Sequence, residues 1–270
     1  MFAIVTETLS CLHEGDCDAF GVSLIPLSCV VGKHTYRDRI LSSAVALPEA
    51  ACYSVPPTED AYRAKFEALL AEFDCVLCVT ASRKFSESNR NASRAAVPFG
   101  GRVTVVDSGS VAGGLLLVVL RARYLVTLGY PLSRIKAELE SYKHTLRVSF
   151  TAGSAAMLQS AAKLSYQMPE GEPAPDEQPV FHIRKGGIGV TTYVRGQDQI
   201  MDEMLNVLEI DGRQRPPSHV VVHYADRTSA VEYLLSRIAT LYPSATVYER
   251  PITLSLQVNL GRDIVGIIGD

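Results

Sequence analysis

Ser54, Ser86 and Ser88 are the side chains whose type and placement point most directly to chemistry, and that chemistry is hydrogen bonding to an anion. Ser54 precedes a helix that Thr58 is placed to cap, with Glu59 and Asp60 in its first turn. Ser86 and Ser88 stand where the polar loop Ser82–Ser86 enters the next helix. The unpaired N–H groups and dipole at such junctions receive a carboxylate or phosphate oxygen well. Serine hydroxyls donate to the same oxygen without adding charge. Any one of these serines alone reads as an ordinary N-cap. Two such junctions after neighbouring strands of one sheet point further, to an anion site, because ligands gather at strand C-terminal ends.

Other reactive groups form weaker patterns. His223 ends a strand beside Asp226, a pairing that a small hydrolase could use, yet no serine or cysteine is clearly placed as its nucleophile. Cys75 and Cys78 form a CxxC on an apparent strand, where residues three apart face opposite ways. With no second CxxC and no histidine pair, they read as core thiols and no metal is expected. Gly186-Gly187-Ile188-Gly189 leads into a strand rather than a helix, which argues against a dinucleotide loop. No phosphate-loop, nucleophile-elbow or zinc-protease motif is present, so neither an enzyme nor a resident cofactor is expected.

The elements that must position the serines alternate between strand and helix. Apolar runs at Phe2–Thr6, Cys75–Thr80 and Arg102–Val106 read as buried strands, and Gly21–Val31 is β-rich. Ala51–Thr58 reads as an extended loop with Pro56 and Pro57. Tyr62, Phe66, Leu69, Leu70 and Phe73 recur at helical spacing. Helices are expected at Val111–Leu128 and Ser133–Lys143, parted by Gly129-Tyr130-Pro131. This rhythm predicts a mostly parallel sheet with helices on both faces. From Arg147 the pattern changes to a strand, an Ala-rich helix up to Leu164, and an acidic, Pro-rich loop at Met168–Pro179. A hairpin across Lys185-Gly186-Gly187 follows, then helices near Gln199–Leu208 and Thr228–Leu241. Strands are expected at Val220–Tyr224, Ala245–Tyr248, Leu254–Val258 and Ile264–Ile268. The fold class is therefore α/β in two domains: an α/β/α parallel-sheet domain over residues 1–146 and a smaller mixed-sheet α/β domain over 147–270.

Composition narrows the partners. The net charge is −3 over 270 residues, with no basic block, which argues against nucleic acid. Mean hydropathy is high at +0.12, yet no apolar run approaches the length of a bilayer span, so no integral membrane segment is expected. Such an excess fits a generous core or a cavity for a greasy ligand. The opening MFAIVTETLS lacks a signal peptide's charged start, so the six cysteines are expected reduced in the cytoplasm.

The sequence resembles the DegV family, which includes the FakB-type fatty-acid-binding subunits of bacterial fatty acid kinase. Ile25–Asp38 (IPLSCVVGKHTYRD) follows the family pattern VPLxVxxGxxxYxD, and Ile4–Leu12 (IVTETLSCL) is similar to IVTDSTSDL. Arg102–Ser110 (RVTVVDSGS) matches RVxVxDSxS, Val194-Arg195-Gly196 matches VRG, and His223-Tyr224-Ala225-Asp226 resembles the HAD turn. These matches run in order over nearly the whole chain. The resemblance implies a non-enzymatic carrier that buries one long-chain fatty acid in an interdomain tunnel and presents its carboxylate to a partner fatty acid kinase.

Carried over position by position, the threonine of the family's TSQPS loop falls on Ser54 and the serine of LSGT on Ser86, with Ser88 beside it. The histidine of HTGPG falls on Asn259, and Arg195 holds a kinase-facing position. Three departures stand out. Glu87 replaces the glycine of SGT, so Arg83, Lys84 or Arg90 is needed to offset its charge. Gly261-Arg262-Asp263 replaces GPG, and Leu158–Leu164 (LQSAAKL) replaces LKKGGRI. A degenerate scaffold that binds only a protein partner is the remaining alternative.

Overall fold

A computed structural model describes residues 2–39, 52–152, 174–185, 187–209 and 215–270. The Ala-rich helix expected up to Leu164, the Leu158–Leu164 segment and most of the Met168–Pro179 loop lie outside them. Two compact units are present: Met1–His144 with Thr253–Val258, and Thr145–Ile252 with Asn259–Asp270.

The first unit is built on four parallel strands: β1 (Phe2–Glu7), β2 (Val22–Ile25), β6 (Cys75–Thr80) and β7 (Val103–Asp107). Their order across the sheet is β2-β1-β6-β7, and helix α1 (Glu14–Phe20) connects the first two in sequence. Strands β1 and β6 are apolar on both faces because both are covered. On one face, Ala3, Val5, Val76 and Cys78 pack with Tyr62 and Phe66 of α2 (Glu59–Leu70) and with Ala92 and Ala95 of α3 (Ser88–Ala96). Helix α4 (Gly113–Thr127) also packs on β1 and β6, and its Leu115–Val119 run is wholly buried. A helical turn that is apolar all round belongs in an interior, whereas the second half of α4 carries Arg121, Arg123 and exposed Tyr124. Helix α5 (Leu132–Tyr142) packs on α4 in turn. Cys75 and Cys78 are free thiols, and Cys78 lies in the core.

Thr58 caps α2: its hydroxyl oxygen accepts the Ala61 N–H at 3.2 Å, with Glu59 and Asp60 in the first turn. Replacing Thr58 with alanine is expected to lower stability by about 1 kcal/mol in urea unfolding.

A small antiparallel sheet joins β3 (Ser28–Val31) to β4 (His34–Arg37) on one side and to β5 (Cys52–Val55) on the other. The segment expected as an extended loop before α2 is thus partly a strand. Its backbone pairs with β3, placing Ser54 opposite Cys29, and Pro56 and Pro57 end it.

The second unit is a six-stranded mixed sheet. Its strands are β8 (Arg147–Thr151), β9 (Glu177–Arg184), β10 (Gly187–Arg195), β11 (His219–Tyr224), β12 (Thr246–Pro251) and β13 (Val265–Gly269). They lie in the order β10-β9-β8-β13-β11-β12, and only β11 and β12 run parallel among these pairs. The end of the expected acidic loop is strand, since β9 begins at Glu177. Helices α6 (Gln197–Glu209) and α7 (Ser229–Leu241) supply Met204, Leu208, Leu234 and Ile238 to a core with Val222 and Ile267.

The strand expected at Leu254–Val258 is a helix, α8 (Leu254–Leu260). Its first turn closes on Thr253, whose carbonyl accepts the N–H groups of Leu256 and Gln257. Asp38 accepts the Ser255 N–H at 2.7 Å, fixing the start of that turn. Leu254, Ser255, Leu256 and Gln257 are all buried, so the apolar–polar alternation that reads as a strand here reflects no solvent-facing side.

Candidate functional site: buried acids and hydroxyls at the strand ends of the first unit

The first unit collects its buried polar groups where β1, β6 and β7 end. Thr8 and Ser10 follow β1, Ser82 and Ser88 follow β6, and Ser108 and Ser110 follow β7; all six are buried. Backbone links hold the loops in place. The Ser82 N–H donates to the Ser110 carbonyl, and the Ala112 N–H to the Leu9 carbonyl. Ala112 occupies φ +52°, a strained backbone for a residue with a Cβ, immediately before α4. Among the described residues the Ser10 Oγ is buried with no hydrogen-bond partner.

Ser86 and Ser88 come together. The Ser86 Oγ donates to the Ser88 Oγ at 2.9 Å, and the Ser88 N–H donates back to the Ser86 Oγ at 3.2 Å. Ser88 is fully buried whereas Ser86 is partly open. Behind them lies Glu7, the last residue of β1, with no exposed surface. Its Oε1 accepts the Ala81 N–H at 2.5 Å, and its Oε2 accepts the Tyr62 hydroxyl at 3.4 Å. Burial pushes the Glu7 carboxyl up to about 7, against hydrogen bonds from Ser88, Ala81 and Tyr62 that lower it. Asn91 on α3 donates to the Pro57 carbonyl at 2.8 Å, which ties the Ser86–Ser88 helix to the segment leaving Ser54.

A second acid, Asp38, is also buried in this unit. Its Oδ2 accepts the Thr8 hydroxyl at 2.5 Å, and the Thr8 oxygen in turn accepts the Leu27 N–H. The Cys29 thiol, 3.1 Å from the Ser255 hydroxyl, is pushed up to about 12 by burial and is no nucleophile.

Among the sequence-selected residues, Ser54 lies half-buried on β5, and Ser86 and Ser88 form the pair above. Asn259 and Arg195 belong to the second unit. Arg195 ends β10, exposed, 3.3 Å from Asp176 and 3.4 Å from Glu177. Glu87 has its counter-charge in Arg90 at 3.2 Å, whereas Arg83 turns to Asp107. Both partners of the Glu87 pair are well exposed, so the pair is weak.

The His223–Asp226 pair does not form. Arg262 grips Asp226 through three contacts of 2.6–3.1 Å, beside a cavity of about 320 Å³ that Gln178, Gln197 and Thr228 also line. His223 is buried, bonds the Arg250 carbonyl through Nδ1 at 2.7 Å, and is pulled down to about 4 by that burial. The Arg262 that stands in place of the family's proline thus consumes the carboxylate a hydrolase would need. Glu7 and Asp38 are the residues the sequence reading passed over. The signal for Glu7 was an acid closing the apolar stretch IVTE, and for Asp38 its place at the end of the motif Ile25–Asp38.

No group of three metal-ligating side chains occurs among the described residues. None of the described helices is long and apolar enough to cross a membrane.

A parallel α/β unit followed by a mixed-sheet unit is the architecture of a known class. The family model described as "Uncharacterised protein, DegV family" matches residues 1–269. A DegV domain-containing protein of Deinococcus radiodurans is 31% identical over 208 residues, covering 75% of this chain and 74% of its own. Protein DegV of Bacillus subtilis is 23% identical over 98% of this chain and 97% of its own. A fatty-acid-binding DegV family protein from Thermus thermophilus superposes with a TM-score of 0.89 at 22% identity, over 99% of this chain and 98% of that one. The stearic acid-binding protein of Eubacterium ventriosum gives 0.86 at 18% identity, over 99% and 97%. The chain belongs to the DegV family.

Proposed function

We propose that this chain is a carrier of one long-chain fatty acid, that it performs no bond-making chemistry itself, and that it presents the carboxylate to a fatty acid kinase. The carboxylate is met by the hydroxyl of Ser86, which buried Ser88 supports; Ser54 and Asn259 are the further donors that the family resemblance implies, and Arg195 faces the kinase. The acyl tail occupies the tunnel that the family resemblance implies. The observation that carries the reading is the partly open Ser86 hydroxyl, linked to buried Ser88 and backed by a carboxyl held near neutrality. With that carboxyl protonated, the arrangement can offer a hydrogen bond to an acid and sets no charge beside it. Relatives of the same fold are described as fatty-acid-binding proteins, which supports the choice of ligand.

Burying about 12 methylenes contributes roughly 10 kcal/mol gross, so the tail dominates affinity and the serines fix the head. Native mass spectrometry of the purified protein, with organic extraction, is expected to recover a fatty acid. Ser86→Ala is expected to retain lipid while weakening palmitate binding about tenfold, the loss of one hydrogen bond to a charged group. Absence of extractable lipid, together with no binding of added palmitate or oleate, would overturn the reading.

A further inference from the structure

The described residues place one carboxyl, Glu7, behind the Ser86–Ser88 pair with no cation acting on it. The groups that face it are known from each element packed around it. Tyr62 comes from α2, the Ala81 N–H and the Cys78 thiol from β6 and its exit, and Ser88 from the start of α3. Asp38 acts on it as a like charge. Tyr62 and Cys78 are both pushed well above their ordinary ranges by burial, so neither titrates near neutrality.

Hydrogen-bond direction then depends on a single proton. With Glu7 ionised, its carboxylate accepts from Ala81 and Tyr62 and, together with the Tyr62 oxygen, draws the Ser88 hydroxyl inward. The Ser88 oxygen then accepts the Ser86 hydroxyl across their 2.9 Å contact, and the Ser86 proton is directed into the protein. A ligand anion at Ser86 would meet lone pairs. With Glu7 protonated, its O–H can donate to the Ser88 oxygen, the Ser88 O–H to the Ser86 oxygen, and the Ser86 O–H becomes free to donate outward. The Ser88 N–H supports the Ser86 oxygen in both states. Each hydroxyl has one proton and two acceptor sites, so the chain can run in either direction but never in both.

We infer that Glu7 is a positioning residue for the head-group site: its protonated carboxyl sets the Ser88–Ser86 relay to donate outward, so binding of an anionic head group takes up one proton. This rests on the lipid-carrier reading and deepens it. The site prefers an acidic head group through a buried acid rather than through a cation.

The test uses the full chain and two probes: tetradecyl sulfonate, whose head stays charged throughout, and tetradecanol, whose head stays neutral. Affinity of the unmodified protein for the sulfonate is expected to fall about thirtyfold between about pH 6 and about pH 8.5, as the linked carboxyl loses its proton. Affinity for the alcohol is expected to stay level. Glu7→Gln, whose amide cannot ionise, is expected to give a level sulfonate profile. If that variant fails to fold, Ser88→Ala cuts the relay and is expected to level the profile as well. A level sulfonate profile in the unmodified protein, or a slope that survives either substitution, overturns the inference while leaving the carrier reading intact. Failure of both probes and of palmitate to bind overturns the carrier reading itself.

Discussion

Replacing Asp38 with alanine is expected to destabilise the first unit by about 3–5 kcal/mol, because a buried N–H and a buried hydroxyl lose their acceptor together. Asp38 is 2% exposed and joins three stretches of chain. Its Oδ2 takes the Thr8 hydroxyl just after β1, and through Thr8 it orders the Leu27 N–H between β2 and β3. Its Oδ1 takes the Ser255 N–H, 217 positions along the chain, at the start of α8. Burial raises the Asp38 carboxyl, so its ionised form already carries a desolvation cost that offsets part of these bonds. The bonds to Thr8 and Ser255 act the other way and hold the acidity closer to normal. The amide of an Asp38→Asn variant retains one acceptor oxygen, so its stability is expected to fall between those of the alanine variant and the unmodified chain. Urea unfolding read by circular dichroism gives the size of the effect. Proteolysis at 253–258 gives its location, since loss of the Asp38 contact frees the first turn of α8. A cost for Asp38→Ala below about 1 kcal/mol would mean that solvent replaces these bonds.

The parallel sheet was legible because Phe2–Thr6 and Cys75–Thr80 are too short for helices and too apolar for anything but covered strands. Ser86 and Ser88 were legible because a loop-to-helix junction announces itself through polar residues before a periodic run. Glu7 and Asp38 were not. An acid at a strand end is usually solvated, and nothing adjacent in sequence shows that Tyr62, Ala81 and Ser88 will close over Glu7. The alternation in Leu254–Val258 misleads for a related reason: period-two spacing reports a strand only when one face meets water. Strand β5 was hidden by Pro56 and Pro57, since its pairing partner β3 lies more than twenty residues earlier. The His223–Asp226 proximity is real in the sequence, but Arg262, 36 positions later, competes for the carboxylate and wins it.

Acidification is expected to weaken the second unit through His223 while strengthening the first through Glu7. His223 is pulled from 6.5 down to about 4 by burial, with the Arg250 carbonyl holding its Nδ1–H. A base depressed on folding contributes stability that is present in full above its unfolded value and lost as pH falls through its folded one. The second unit should therefore lose about 3 kcal/mol between about pH 6.5 and about pH 4, and be level above that window. Glu7 runs the other way. Its carboxyl rises from 4.5 to about 7 on folding, so the neutral form is the one the fold accommodates. Its contribution is present in full below 4.5 and is lost as pH rises through about 7, again about 3 kcal/mol. Because the two groups lie in different units, a single whole-chain melting curve would blend opposite slopes. Hydrogen exchange read peptide by peptide in urea separates them. His223→Gln, which keeps a donor for the Arg250 carbonyl, should remove the acid-side loss from peptides around β11 and β12. Glu7→Gln should remove the alkaline-side loss from peptides around β1 and β6. Both units weakening together on acidification would show that Glu7 stays ionised in the fold, and the relay argued for the head-group site would then have no proton to work with.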